Sequence, residues 1–138
     1  APNARSSQAI PTFRVTISAL QKLSVIQPAV LDQATVLIAT DEAYSQRGIT
    51  VENVEEHLYT LRAVIFNQTI SGKTIKGGNL VGKSYTNMMG LPLTFSAENG
   101  KIRVSDEFGN KANVIRTDWG ALKSTSHFID TVLVAKFE

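Results

Sequence analysis

The sequence predicts an α+β fold, an antiparallel β-sandwich or wedge with several helices packed at one end. Three observations carry this. Apolar residues in the first half recur at helical spacing, the period changes to two from residue 69 onward, and an Asn-Gly turn joins two alternating runs.

Phe13, Ile17, Leu20 and then Leu23 or Ser24 are spaced as one helix face, with Thr12 after Pro11 placed to cap it. Gln27-Pro28 breaks that helix, and Pro28 suits the start of a short second one. Residues 34–39, ATVLIA, are apolar and β-branched, as in a buried strand, and Thr40-Asp41-Glu42-Ala43 forms a cap and a helical turn. Over residues 50–65, Val51, Val54, Leu58, Leu61 and Ile65 form an apolar stripe. Thr50 caps this helix, Glu52, Glu55, Glu56 and Arg62 point outward, and His57 lies at the stripe's edge as a boundary residue. The second half reads as a meander. Leu93 to Ser96 leads through Asn99-Gly100 into Ile102 to Ser105, Phe108-Gly109-Asn110 turns into Ala112 to Ile115, and residues 127–137 end the chain as an apolar strand.

With 138 residues the chain suffices for one domain, divided here into a tail of residues 1–12 and a domain of residues 13–138. The opening residues APNARSS lack Met, which implies processing. No cysteine is present, which excludes disulfides, thiolate zinc sites and a Cys nucleophile. No apolar run is long enough to span a membrane. The net charge of +2 is uneven: residues 71–123 hold eight Lys or Arg against four acids. Such a half could meet anionic polysaccharide, although Lys on solvated strands explains it as well. Basic and aromatic residues are not interleaved, so nucleic acid is not an expected partner.

Residues 77–84, GGNLVGKS, match the phosphate-loop pattern. That loop needs a buried strand before it and a helix beginning at its Lys. The preceding residues are polar, and Gly90 and Pro92 stop any helix after Lys83-Ser84, so this is read as a glycine-rich turn without nucleotide.

The chain resembles the fasciclin-type domain over about residues 13–134. Residues 35–44, TVLIATDEAY, are similar to the family's T-V-F-A-P-T-D-x-A-F, keeping Thr40, Asp41 and Ala43 but carrying Ala39 for Pro and Tyr44 for Phe. Residues 125–133, TSHFIDTVL, are similar to its second signature at His127, Ile129, Asp130, Val132 and Leu133, with Ser126 in place of Ile. The stretch between follows the family's G-x-x-L-T strand, hairpin and Asn-rich turn. The resemblance implies a secreted or cell-surface adhesion module, without catalysis or cofactor, whose partners are extracellular protein, matrix or polysaccharide, or a second copy. Ala63-Val64 stand where some members place a Tyr-His pair linked with cell attachment.

Three sets of residues are singled out. Asp118-Trp119, where the family pattern has Asp-Ile, is the candidate partner contact, since a rigid ring beside a carboxylate suits protein or sugar recognition. Trp119 folded inward is the alternative. Asp41 and His127 are expected to pair and tie the two signatures together, while a hydrolase would need Ser124 or Ser126 as nucleophile and lacks a G-x-S-x-G elbow. Asn67-Gln68-Thr69 is a legal N-glycosylation site. Two distant histidines and no D-x-D-x-D-G loop leave no metal site to expect. The alternative function is a carrier or sensor of a small apolar ligand or lipid in a cleft between helices and sheet, with Met88-Met89 and Leu91 as lining.

Overall fold

The structure, a computed structural model, describes residues 11–23, 33–120 and 124–134. The tail up to residue 10, the segment expected to form a short helix at Pro28 and residues 135–137 of the expected last strand lie outside these, and that strand ends at Ile129, short of the expected span.

Helix α1 is Arg14–Lys22. Its buried face is Val15, Thr16 and Ala19, continued by Leu23, whereas Ile17 on the expected face is 43% exposed. The cap explains the rotation. Asp41, not Thr12, holds the helix start: its carboxylate accepts the N–H groups of Arg14 at 3.0 Å and Val15 at 2.8 Å. The Asp41 N–H in turn donates to the Thr12 carbonyl at 3.0 Å. Two long-range bonds at a positive helix end thus decide which apolar stripe meets the core.

Strand β1, Thr35–Ala39, leads into helix α2, Asp41–Ser45. Thr40 caps α2 as expected, its hydroxyl accepting from the Ala43 N–H at 3.1 Å. The helix expected over residues 50–65 is split into a 3₁₀ helix at Val51–His57 and helix α3 at Leu58–Asn67. Asn53 is the cause. Its amide oxygen accepts from the Thr50 N–H at 2.8 Å and its nitrogen donates to the Gly48 carbonyl at 2.9 Å, while its backbone departs from helical angles.

The remaining strands are β2 Thr69–Ile70, β3 Ser84–Thr86, β4 Pro92–Glu98, β5 Lys101–Ser105, β6 Lys111–Trp119 and β7 Thr125–Ile129. They join β1 in one seven-stranded sheet ordered β2-β1-β7-β6-β5-β4-β3. The α+β class holds, but the described strands form one mixed sheet and not the expected antiparallel sandwich. β1 and β7 run parallel, from Thr35 opposite Thr125 to Ala39 opposite Ile129. The sheet also curls back on itself, close to a barrel. Just past β3, the Met88 N–H donates to the Thr69 carbonyl on β2 at 2.9 Å, and the Asn87 side chain donates to the Asn67 carbonyl at 2.9 Å. The β4–β5 hairpin turns at Asn99 and Gly100, both with positive φ, as the Asn-Gly pair requires.

Leu37, Ile70, Leu93, Phe95, Val104 and Ile129 fill the concave side together with Leu61, Val64 and Ile65 of α3. β7 is buried at all five positions, so both its faces are covered, as is usual for a strand in a parallel pair. Phe128 and Ile38 lie on the side away from this core.

Candidate functional site

The C-terminal end of β6 gathers the residues of interest into a polar tie and an aromatic cluster. Asp118 carries a positive φ of 60, and its backbone N–H donates to His127 Nδ1 at 3.1 Å. Nδ1 is therefore the unprotonated ring nitrogen, and Nε2–H donates to the Ile75 carbonyl at 2.7 Å. His127 is fully buried, and burial is the largest influence on it, pulling its pKa below the usual value against the opposing effects of the Ile75 bond and the Asp118 charge. The ring is a neutral structural link.

The Asp118 carboxylate accepts the Gly77 N–H at 2.8 Å. Desolvation pushes its pKa up, but the Gly77 and Thr117 hydrogen bonds and nearby positive charge outweigh it and hold the carboxyl below its ordinary value. A Cβ on Gly77 would lie 2.9 Å from both Asp118 Oδ2 and Thr117 Cβ. The first glycine of GGNLVGKS is thus small because β6 packs against it. The rest of that stretch forms a 3₁₀ turn at Gly77–Asn79, a loop and the entry to β3, with no helix at Lys83 to face a phosphate. Thr35 completes the tie, its hydroxyl donating to the Lys73 carbonyl at 2.7 Å and accepting the Ile75 N–H at 2.8 Å.

Asp41 and His127 are not hydrogen-bonded to each other. Asp41 caps α1 and His127 anchors the 75–77 loop, so the two signatures are joined by the β1–β7 strand pairing and not by these two side chains. Ser126 precedes His127 on β7 and faces the opposite side of the strand, which removes it as a nucleophile for that histidine. Among the described residues no three His, Asp or Glu side chains gather to hold a metal ion.

Asn67 corrects the glycosylation expectation. It is fully buried at the end of α3, where its amide nitrogen donates to Asp106 Oδ2 at 2.9 Å and the Leu133 carbonyl at 3.0 Å. Its oxygen accepts from Asn87 at 2.8 Å. A glycan has neither a free nitrogen nor space there.

Trp119 is half-buried. It meets Phe13 edge-on with ring centroids 5.1 Å apart and Phe128 at 5.6 Å, and Phe13 and Phe128 lie 5.3 Å apart. Asp118 beside it is exposed. The aromatic cluster borders an apolar cavity of about 180 Å³ between α1 and the β1–β7 region. Phe13, Ile17 and Leu20 form its α1 wall, Leu20 also packing against the core, and Val36, Leu37 and Ile38 supply β1. Met88 and Met89 line no part of it.

Tyr44 is another wall residue and is fully buried. Its hydroxyl is, among the described residues, the one buried side-chain polar atom without a hydrogen-bond partner. Thr16 lies beside it but directs its own hydroxyl to the Ala39 carbonyl at 3.5 Å. Burial, the largest influence, pushes the phenol pKa up to about 12 against the lowering effect of the adjacent Thr16 hydroxyl, which lies close by but outside hydrogen-bonding geometry. An orphaned buried hydroxyl costs about 1–3 kcal/mol. The signal for it in the sequence was the Tyr standing where the resembled signature has Phe.

The chain belongs to the fasciclin domain family, whose family model matches residues 11–135. Among solved structures it is similar to a FAS1 domain pair from the insect cell adhesion molecule fasciclin I, with a TM-score of 0.63 and 20% identity. That match covers 87% of this chain and 44% of the other, so the chain spans less than half the length of that solved pair. No curated protein sequence matches it. Domains of this family are generally adhesion-related modules of extracellular or cell-surface proteins. No helix among the described residues is long and apolar enough to cross a membrane.

Proposed function

We propose that the chain is an extracellular adhesion or binding module that acts without catalysis through surface contacts with protein, matrix or polysaccharide, or with a second copy of itself. The observation that carries this reading is membership of the fasciclin family over nearly the whole chain. The internal use of Asp41, Asn67 and His127 supports it, because these side chains are committed to holding the fold. The contact surface is assigned to the loops at the end of β6. There Asp118 is exposed, Trp119 keeps one side open, and exposed Lys73 and Lys76 add positive charge nearby. Strand addition at a sheet edge is not part of the proposal, since the β2 and β3 ends meet each other.

Beads coated with the purified domain test it, mixed with one another, with bare beads and with wall or matrix material. Clumping of coated beads, or selective capture of matrix, is the expected result. Capture that weakens steeply with salt would assign the basic loop a direct role. Beads that stay dispersed in every mixture overturn the adhesion reading.

A second reading, a carrier of a small apolar ligand, is favoured by the 180 Å³ cavity. Its lining is Phe13, Ile17, Leu20 and Trp119, and not the methionines named from sequence.

A further inference from the structure

We infer that the cavity behind α1 binds a small uncharged molecule of single-ring size whose hydrogen-bond acceptor takes the Tyr44 hydroxyl. This deepens the carrier reading, on which it rests, by naming the ligand's chemistry.

Size comes first. A dry, apolar protein cavity of about 150 Å³ holds a benzene molecule, so a volume of about 180 Å³ takes one ring with a short substituent and not a long acyl chain. Charge follows from the walls. Among the described residues of the wall, aliphatic and aromatic side chains dominate and none is Lys, Arg, His, Asp or Glu, so a charged ligand would be desolvated without compensation from them.

The polar group follows from hydrogen bonding. Gln68 is committed at both ends of its amide, donating to the Leu37 carbonyl at 2.8 Å and accepting from the Leu133 N–H at 2.9 Å. Thr16 gives its hydroxyl hydrogen to Ala39 and lies beside the phenol without a hydrogen bond to it. Among the described residues the Tyr44 hydroxyl alone is buried and unpartnered. Its raised pKa keeps it protonated throughout the physiological range, so it offers a neutral donor. A ketone, aldehyde or ester oxygen meets that requirement.

The geometry also supplies an entrance, because Ile17, at 43% exposure, is both a wall residue and surface-accessible. Trp119 forms part of the same wall through its ring contacts with Phe13 and Phe128, so occupancy of the cavity is next to the turn proposed above as a contact.

The test is titration of the isotope-labelled full chain, followed by amide shifts, with three probes of similar shape. They are acetophenone, ethylbenzene, which lacks the acceptor, and benzoate, which carries a charge. Acetophenone is expected to bind about five- to tenfold more tightly than ethylbenzene, with shifts centred on α1 and β1, and benzoate to show no saturable shift. Tyr44→Phe should abolish the acetophenone advantage while leaving ethylbenzene affinity unchanged, which a merely structural role would not do. Ile17→Trp, made at an exposed helix position that tolerates substitution, should block both neutral probes.

Equal affinity for acetophenone and ethylbenzene overturns the acceptor assignment but leaves the apolar-ligand reading standing. An advantage that survives Tyr44→Phe, or benzoate binding as tightly as acetophenone, likewise overturns it. Unchanged binding to Ile17→Trp places the probes elsewhere and overturns the site. If neither neutral probe binds, the inference and the carrier reading fall together.

Discussion

Replacing His127 by alanine tests the tie between the end of β6 and the 75–77 loop. The ring is fully buried and makes two hydrogen bonds, accepting from Asp118 at Nδ1 and donating to Ile75 from Nε2. Alanine leaves the Ile75 carbonyl without its donor beside a buried side chain, at a cost of about 1–3 kcal/mol. The space left by the imidazole adds roughly 1 kcal/mol or more, so the sum is about 3 kcal/mol. For a domain of this size that lowers Tm by about 10 °C.

The pH dependence gives a second, independent check. The folded-state pKa of His127 is depressed, so the unfolded chain takes up its proton first. The neutral ring's contribution is complete above the unfolded pKa of about 6.5 and is lost as pH falls from there through the lower folded value. Wild type should therefore lose stability between pH 7.5 and pH 5 by a route that His127→Ala lacks, and the difference in Tm between the two should narrow on acidification. Thermal melts of both proteins at the two pH values measure it. An unchanged Tm at pH 7.5, or a difference that stays constant with pH, would refute the reasoning.

Gly77→Ala should lower Tm by several degrees, because the added methyl meets Asp118 and Thr117 at 2.9 Å; a melt matching wild type would show that the loop yields freely. Trp119→Ala should cost about 2–4 kcal/mol through lost burial and two ring contacts, each worth about 0.5–1.5 kcal/mol, measurable by urea unfolding. If that variant keeps full stability and loses only bead capture, the ring serves the partner and not the fold. Asn67 should stay unmodified when the chain is secreted from a glycosylating host, and intact mass spectrometry should find no glycan there. Asn67→Ala should destabilise by about 3 kcal/mol or more, since Asp106, Leu133 and Asn87 each lose a partner.

Signals that act within a few residues were legible in the sequence. Thr40 caps the helix it precedes, and Asn99-Gly100 turns the hairpin it was expected to turn. Signals whose meaning depends on distant partners were not. Helix α1 carries apolar residues on two sides, and only the carboxylate of Asp41, 26 and 27 residues away, determines which of them becomes core. Residues 50–65 read as one helix because the apolar spacing carries no sign that the Asn53 amide bonds back to Thr50 and Gly48. The Asn67 sequon is correct as a pattern, but the burial of its side chain is a tertiary property that the pattern does not carry. Asp118-Trp119 was visible as unusual, but the backbone bond from Asp118 to His127 and the glycine beneath its carboxylate were not. A cleft between helices and sheet was expected, but its walls were not legible: Phe13, Ile17 and Leu20 of α1 line the cavity, and the methionines do not.

The parallel pairing of β1 with β7 has a consequence for how the chain acquires its structure. Thr35 faces Thr125, ninety residues later, so β1 can pair early with β2 on one edge but has to wait for β7 on the other. A chain emerging from the ribosome can form the helices and the β4–β6 meander early, but the strand between β1 and β6 is made after the other strands of the sheet. Folding on this plan is set by a long loop closure, which places the domain among slowly folding, high-contact-order proteins. Until that closure, β1 exposes both of its apolar faces and an unpaired edge, so the interval between synthesis and closure is when chaperone protection matters most.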